Sequence, residues 1–113
     1  MRFRQKLALL LGAYLALSVI AGIVIAEGSL HLRRLPLRHA QQFSAFVKEK
    51  YGAELENVSI KADDGAVLKG WYVQPQKFSG SAAVLLHGMT DNREGVAGYG
   101  RIFLDRGYAV LLP

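Results

Sequence analysis

The stretch AAVLLHGMTDNREG, residues 82–95, joins five apolar residues directly to a His-Gly pair and a run of polar, turn-forming residues. A strand that ends at His87 places the next residues at its carboxyl end, where open α/β sheets bind ligands. Gly88 allows a sharp turn and a close backbone approach, and the backbone N–H of Met89 is then available to an anion near a helix start. A donor fixed at that point would stabilise the oxyanion that develops in acyl transfer.

The side chains around this pair favour structural roles. We expect the His87 imidazole to hold the turn through a hydrogen bond to nearby backbone. A metal site at His87 is disfavoured because no suitably spaced ligand accompanies it. Asp91 is interpreted as a helix cap rather than as a catalytic acid.

The elements on either side of the loop predict a βαβ unit. Residues 82–86 are apolar at every position, which is typical of a strand covered on both faces. A helix is predicted from Arg93 or Glu94 to Arg106, capped by Asp91 or Asn92 and closed by Gly107. Residues 108–112 (YAVLL) form the next strand, parallel to the first with a right-handed crossover. The side chains predicted to face inward from the helix are Val96, Tyr99, Ile102 and Phe103.

A hairpin and a connecting helix precede this unit. NVSIKA (residues 57–62) and VLKGWYV (residues 67–73) alternate as half-buried strands do, and Asp63-Asp64-Gly65 supplies the turn between them. Gly70 indicates a bulge or a close backbone approach within the second strand. Upstream, a helix is predicted from Pro36 to about Tyr51, with Gly52 as its stop.

The N-terminal region predicts a membrane anchor. Residues 7–26, from Leu7 to Ala26, contain no charged side chain and follow a basic flank at residues 1–6. As a helix this run would span about 30 Å, the thickness of the hydrocarbon core of a bilayer. A cleaved signal peptide is the rival interpretation, although signal-peptide cores are usually shorter. A buried soluble helix of this length would normally have a polar face.

The net charge of +5 lies entirely around the apolar run. Residues 1–38 hold six basic side chains and one acidic one, which leaves eight of each in residues 39–113. The predicted soluble part therefore has no basic stripe, and nucleic-acid binding is excluded. Three basic residues flank the run on each side, and the leading ones lie closer to it, which favours a cytoplasmic N-terminus. The chain has no cysteine and so no disulfide.

Residues 55–113 resemble the N-terminal part of the α/β-hydrolase fold, in particular its membrane-anchored members related to serine esterases and peptidases. The matching segments are DDGAVLKGWYVQP for the opening hairpin, AAVLLHGMTDNREG for the third strand and its HG loop, and FLDRGYAVLLP for the first helix and fourth strand. The resemblance implies that the Met89 N–H is one of two oxyanion-hole donors, shaped by His87 and Gly88. It also implies a small acyl substrate and no cofactor. Residues 27–54, before the matching part, are predicted from their own sequence to be a basic linker and a connecting helix.

The family's nucleophile is missing from this sequence. It lies in G-x-S-x-G, and none of Ser18, Ser29, Ser44, Ser59, Ser79 and Ser81 has glycines at both flanking positions. The acid and the catalytic histidine follow the nucleophile in the family's order, so we expect residues 1–113 alone to be inert. A dinucleotide-binding unit is disfavoured because the glycines after the strand are in the wrong order. A non-catalytic membrane-tethered module or a truncated product is the open alternative.

Overall fold

The chain divides into two compact units, residues 1–33 and residues 34–113. The computed structural model describes residues 2–113. The first unit consists of helix α1, Phe3–Leu30. The second contains helices α2 (Ala40–Tyr51) and α3 (Arg93–Leu104) and strands β1 (Leu55–Lys61), β2 (Val67–Val73), β3 (Ala82–Val84) and β4 (Ala109–Leu112).

Helix α1 contains the whole apolar run and continues beyond it at both ends. Its 28 residues correspond to a length of about 42 Å, and none of them is buried. Within residues 2–113 it is the one helix that is long and apolar enough to cross a membrane. The predicted helix over residues 7–26 is therefore confirmed as a helix of sufficient length and composition.

The four strands form one mixed sheet in the order β1-β2-β4-β3. β1 and β2 pair antiparallel, β2 and β4 pair antiparallel, and β3 and β4 pair parallel. The predicted hairpin and the predicted parallel strands are both confirmed, and β4 joins them into a single sheet. The unit is therefore of the mixed α/β class.

The hairpin turn follows from its local sequence. Gly65 has a φ of 88°, a backbone conformation that residues other than glycine rarely adopt. The Asp64 side chain accepts a 2.9 Å hydrogen bond from the Ala66 backbone N–H. Gly70 lies in a continuous β1–β2 register, so no bulge forms there. Instead, the backbone of β4 passes close to Gly70, because a Cβ at Gly70 would lie 3.0 Å from the Leu112 carbonyl oxygen.

The core of the second unit lies between the two helices and one face of the sheet. Trp71 is 1% exposed, and its ring stacks on Phe43 of α2 with 5.8 Å between ring centroids. On α3, the Arg93 guanidinium lies 5.6 Å from the Trp71 ring centroid. The other buried apolar side chains of this core are Val47, Ala53, Val73, Ala97, Leu104, Val110 and Leu112.

Helix α2 begins four residues later than predicted. The segment from Pro36 to His39 is not helical, and α2 starts at Ala40. The His39 backbone N–H donates a 2.7 Å hydrogen bond to Glu94 Oε1, so a contact with α3 fixes this segment. The predicted stop is confirmed, because Gly52 has a left-handed φ of 58° just after the last helical residue.

The prediction that β3 is covered on both faces is wrong. β3 extends only over Ala82–Val84, and Val84 and Leu86 are exposed. β3 is at the edge of the sheet, and on the same face of the sheet as Val84 the side chains of Ile60 and Leu68 are also exposed. Whether a strand is covered on both faces depends on which helices pack against the sheet at that place. An apolar run in the sequence does not contain this information.

The inward face of α3 agrees with the prediction in part, because Val96 and Phe103 are half-buried against the core. Tyr99 and Ile102 are exposed, while Ala97, Gly100 and Leu104 are buried. A Cβ on Gly100 would lie 3.7 Å from Leu85 and 3.8 Å from Val110, so α3 packs closely on the sheet through small residues. The helix also ends at Leu104 rather than at Arg106.

Candidate functional site

The loop of residues 87–92 begins at the carboxyl end of β3 and leads into α3. The ladder with β4 continues one residue beyond β3, because the Leu85 N–H donates to the Leu111 carbonyl at 2.9 Å. After Leu85 the chain leaves the sheet, and helix α3 begins at Arg93. The sequence-predicted residues His87, Gly88 and Met89 therefore lie together at the carboxyl end of a parallel strand pair.

The His87 side chain contacts the backbone of this loop. Its Nδ1 lies 2.8 Å from the Gly88 carbonyl oxygen, and it donates in the tautomer that carries hydrogen on Nδ1. Within residues 2–113 no group of three His, Asp or Glu side chains could hold a metal ion. The predicted contact of the His87 ring with nearby backbone is therefore present.

Gly88 is not required by the geometry of the chain. Its φ lies outside the left-handed region, and a Cβ built on it would meet no atom within 4 Å. Gly107, by contrast, has a φ of 79°, and a Cβ there would lie 2.7 Å from the Lys77 backbone oxygen. The sharp turn predicted at Gly88 therefore does not explain why this residue is a glycine. Its remaining predicted role is to let a bound group approach the backbone closely.

Substitution by alanine should have a large effect on stability at Gly107 and a small one at Gly88. Gly107→Ala is expected to lower the free energy of unfolding by about 2 kcal/mol, because left-handed backbone costs an alanine about 1–2 kcal/mol and a backbone oxygen obstructs its Cβ. Gly88→Ala is expected to change it by less than about 0.5 kcal/mol or to raise it slightly. Urea unfolding of the full chain in detergent, followed by Trp71 fluorescence, measures both. A loss at Gly88 equal to that at Gly107 would show that the loop requires glycine for folding.

Met89 occupies the first central position of a β-turn. The Asp91 N–H donates to the Gly88 carbonyl at 3.1 Å, which closes the turn around Met89 and Thr90. The Met89 side chain is 82% exposed. Its backbone N–H donates to no acceptor in the part of the chain that the structure describes. No intramolecular hydrogen bond within residues 2–113 therefore occupies this amide.

Asn92 caps helix α3, one of the two predicted alternatives. Its side-chain oxygen accepts a 2.8 Å hydrogen bond from the Glu94 N–H, which satisfies one of the free amides at the helix start. Asp91 supports the cap instead of forming it, since its Oδ1 accepts from the Asn92 N–H at 2.8 Å. The end of the loop is thereby fixed to the first turn of α3.

Sequence reasoning missed the contact between Glu94 and His39. The Glu94 carboxylate accepts from the His39 backbone N–H at 2.7 Å, and its second oxygen lies 3.3 Å from the His39 Nδ1. Burial tends to raise the pKa of Glu94, and hydrogen bonds from the backbone of His39 and Arg38 outweigh it, so that its pKa is below the ordinary value. An acidic residue in a first helical turn is recognisable in a sequence, but its partner 55 positions away is not.

We expect the Glu94 carboxylate to make a pH-dependent contribution to the stability of the fold. Because the pKa of Glu94 is lowered on folding, the contribution is complete above the ordinary value of 4.5 and is lost as pH falls through the lower, folded value. Glu94→Gln is expected to cost about 1 kcal/mol at neutral pH and progressively less below pH 4.5. Urea unfolding across this pH range tests it, with the exposed Glu56→Gln as a control. An equal cost at both ends of the range would contradict it.

A cleft of about 260 Å³ lies between α2 and α3. Its lining includes the side chains of His39, Gln42, Phe46, Glu94 and Arg101, and the Arg101 guanidinium lies 4.1 Å from the Phe46 ring centroid. None of residues 87–92 lines it. The predicted loop and this cleft are therefore separate surfaces.

Neither protein-family models, nor curated proteins, nor solved structures yield a match to this chain. The functional interpretation therefore depends on the residues and geometry of the loop.

Proposed function

We propose that this chain is the membrane-anchored N-terminal portion of an α/β-hydrolase. The enzyme cleaves an ester, amide or related acyl bond of a small substrate with a serine nucleophile that lies beyond Pro113. Residues 1–113 supply one half of the oxyanion hole, through the backbone N–H of Met89. The reaction requires no cofactor.

The observation that carries this proposal is the free Met89 amide at the end of β3. It lies in a turn that follows the contact between the His87 ring and the Gly88 carbonyl and precedes the Asn92 cap of α3. An amide without an intramolecular acceptor, in a turn that leads into a helix, is a suitable donor for a developing oxyanion. The partial positive charge at the start of α3 favours a negative group in the same region.

The arrangement of the sheet supports the resemblance. An opening antiparallel hairpin and a parallel strand–helix–strand unit are what the resemblance implies for residues 55–113. Both occur in one sheet, with the HG loop at the carboxyl end of β3. A second oxyanion donor, the acid and the catalytic histidine would join this edge from later segments.

Helix α1 supports the proposed anchor. It is apolar over residues 7–26 and buries no side chain within its own unit. In the proposed arrangement it crosses the bilayer once, with the N-terminus in the cytoplasm and residues 34–113 on the other side. An uncleaved anchor keeps residues 1–26 in the mature protein, so mass spectrometry of its N-terminus distinguishes it from a signal peptide.

The proposal is tested by the reading frame that follows codon 113. We expect it to continue into a G-x-S-x-G segment, and we expect the translated protein to react with a fluorophosphonate probe at that serine. Residues 1–113 alone should not hydrolyse p-nitrophenyl acetate above the buffer rate. A stop codon directly after codon 113, or turnover by residues 1–113 alone, would contradict the proposal and favour a non-catalytic tethered module or a different mechanism.

A further inference from the structure

The segment between the apolar helix and α2 combines basic and apolar side chains. Residues 34–38 read Arg-Leu-Pro-Leu-Arg, and the structure leaves all five exposed. Leu35 is 52% exposed and Leu37 is 42% exposed. We call residues 34–38 the basic tract.

The basic tract is held by its backbone rather than by its side chains. Asn92 Nδ2 donates to the Leu35 carbonyl at 3.2 Å and lies 3.4 Å from the Pro36 carbonyl. The His39 N–H that follows is bonded to Glu94. These contacts fix the course of the chain and leave the leucine and arginine side chains outside the core, so the tract is not an ordinary solvated linker.

The arginines of the tract have no counterion within residues 2–113. Arg34 and Arg38 form no ion pair with any carboxylate described there. Arg34 is four residues after Leu30, the last residue of α1, and four residues reach at most about 14 Å. The proposed membrane span ends at Ala26, four helical residues or about 6 Å before Leu30, so chain connectivity keeps Arg34 within about 20 Å of the end of the span.

We propose that the basic tract binds the anionic headgroups of the bilayer in which α1 is anchored. Arg34 and Arg38 contact lipid phosphates, and Leu35 and Leu37 enter the boundary between headgroups and acyl chains. Arginine next to exposed apolar side chains is the composition of interfacial segments. This inference rests on the membrane anchor of the proposed function and is independent of its hydrolase part.

The test uses the full chain with one introduced thiol. Because the chain has no cysteine, Leu35→Cys accepts a single environment-sensitive fluorophore in the tract. The labelled protein is reconstituted in phosphatidylcholine vesicles and in vesicles that also contain phosphatidylglycerol, and quenching by headgroup-spin-labelled lipid is measured. In the anionic vesicles, each arginine is expected to raise about fivefold the ratio of protein whose basic tract contacts lipid to protein whose basic tract is detached.

Arg34→Gln/Arg38→Gln should abolish the difference between the two kinds of vesicle. The matched control Lys61→Gln/Lys77→Gln neutralises two exposed bases elsewhere in the same unit and should preserve it. Soluble glycerol phosphate should not reproduce the effect, and raised salt should weaken it. Equal quenching in both kinds of vesicle would overturn the proposal. So would an arginine double variant that keeps the difference between the vesicles, or soluble glycerol phosphate that reproduces the effect of the anionic lipid.

An alkaline wash separates this inference from the membrane anchor. Protein that stays with both kinds of vesicle after the wash supports insertion of α1, and the quenching result then decides the role of the tract. Protein that is washed from both kinds overturns the anchor and the lipid contact together. The hydrolase part of the proposed function is unaffected by either result.

Discussion

Trp71→Ala is expected to remove about 3–5 kcal/mol from the free energy of unfolding of residues 34–113, a larger loss than we expect from Gly107→Ala or Glu94→Gln. The side chain is 1% exposed, and its removal leaves a cavity between the sheet and both helices. It also ends the stacking on Phe43 and the contact with the Arg93 guanidinium. For a unit of this size the total stability is about 4–12 kcal/mol, so the loss is a quarter of the total or more and would unfold a unit at the lower end of that range.

Circular dichroism during urea unfolding measures this loss, because the variant lacks the chain's single tryptophan. Trp71→Phe keeps an aromatic ring against Phe43 and should lose only part of the stability. Tyr99→Ala serves as the control: this side chain is 63% exposed, and its loss should cost less than about 0.5 kcal/mol. Similar losses at Trp71 and Tyr99 would contradict the core described for this unit.

Features that depend on neighbouring residues were predictable from the sequence. The apolar helix, the hairpin with its turn at Gly65 and the glycine at the end of α2 each result from a few adjacent residues. Glycine is the residue that adopts a left-handed backbone without strain. The parallel pairing of β3 and β4 could also be predicted, because a strand–helix–strand order imposes it.

Features that depend on tertiary contacts were not predictable in this way. The start of α2 shifts to Ala40 because Glu94 binds the His39 backbone. Tyr99 and Ile102 are larger than Ala97 and Gly100, yet α3 turns its small residues to the sheet to pack closely. The exposure of β3 follows from its edge position, which depends on the order of all four strands.

The position of the loop was predictable from the sequence, and the chemistry proposed for it depends on one backbone amide. The sequence predicted that His87, Gly88 and Met89 form a loop at the end of a strand, and the structure places them there. The hydrogen bond that closes the turn around Met89 and the choice of Asn92 as the helix cap were not specified by the sequence. Its role as an oxyanion donor stays a prediction.

Met89→Pro is the second prediction with a large expected effect. Proline has no backbone N–H, so this substitution removes the proposed donor, and proline is favoured at the first central position of a common β-turn. Met89 occupies that position, and the fold should therefore tolerate the change. Loss of one oxyanion-hole donor typically lowers kcat by about 100-fold to 1,000-fold.

Met89→Ala provides the matched control, because it removes the same exposed side chain and keeps the N–H. The stability of both variants is checked by urea unfolding followed by Trp71 fluorescence. Both should unfold within about 0.5 kcal/mol of the unmodified chain, as expected for changes at an exposed turn position. A difference in activity between them then reports on the amide alone.

The most direct test compares the rates at which a fluorophosphonate labels the serine of the protein extended past codon 113. We predict that Met89→Ala is labelled at close to the unmodified rate and that Met89→Pro is labelled about 100-fold to 1,000-fold more slowly. Equal labelling of the two variants would contradict the proposal that the Met89 amide is an oxyanion-hole donor.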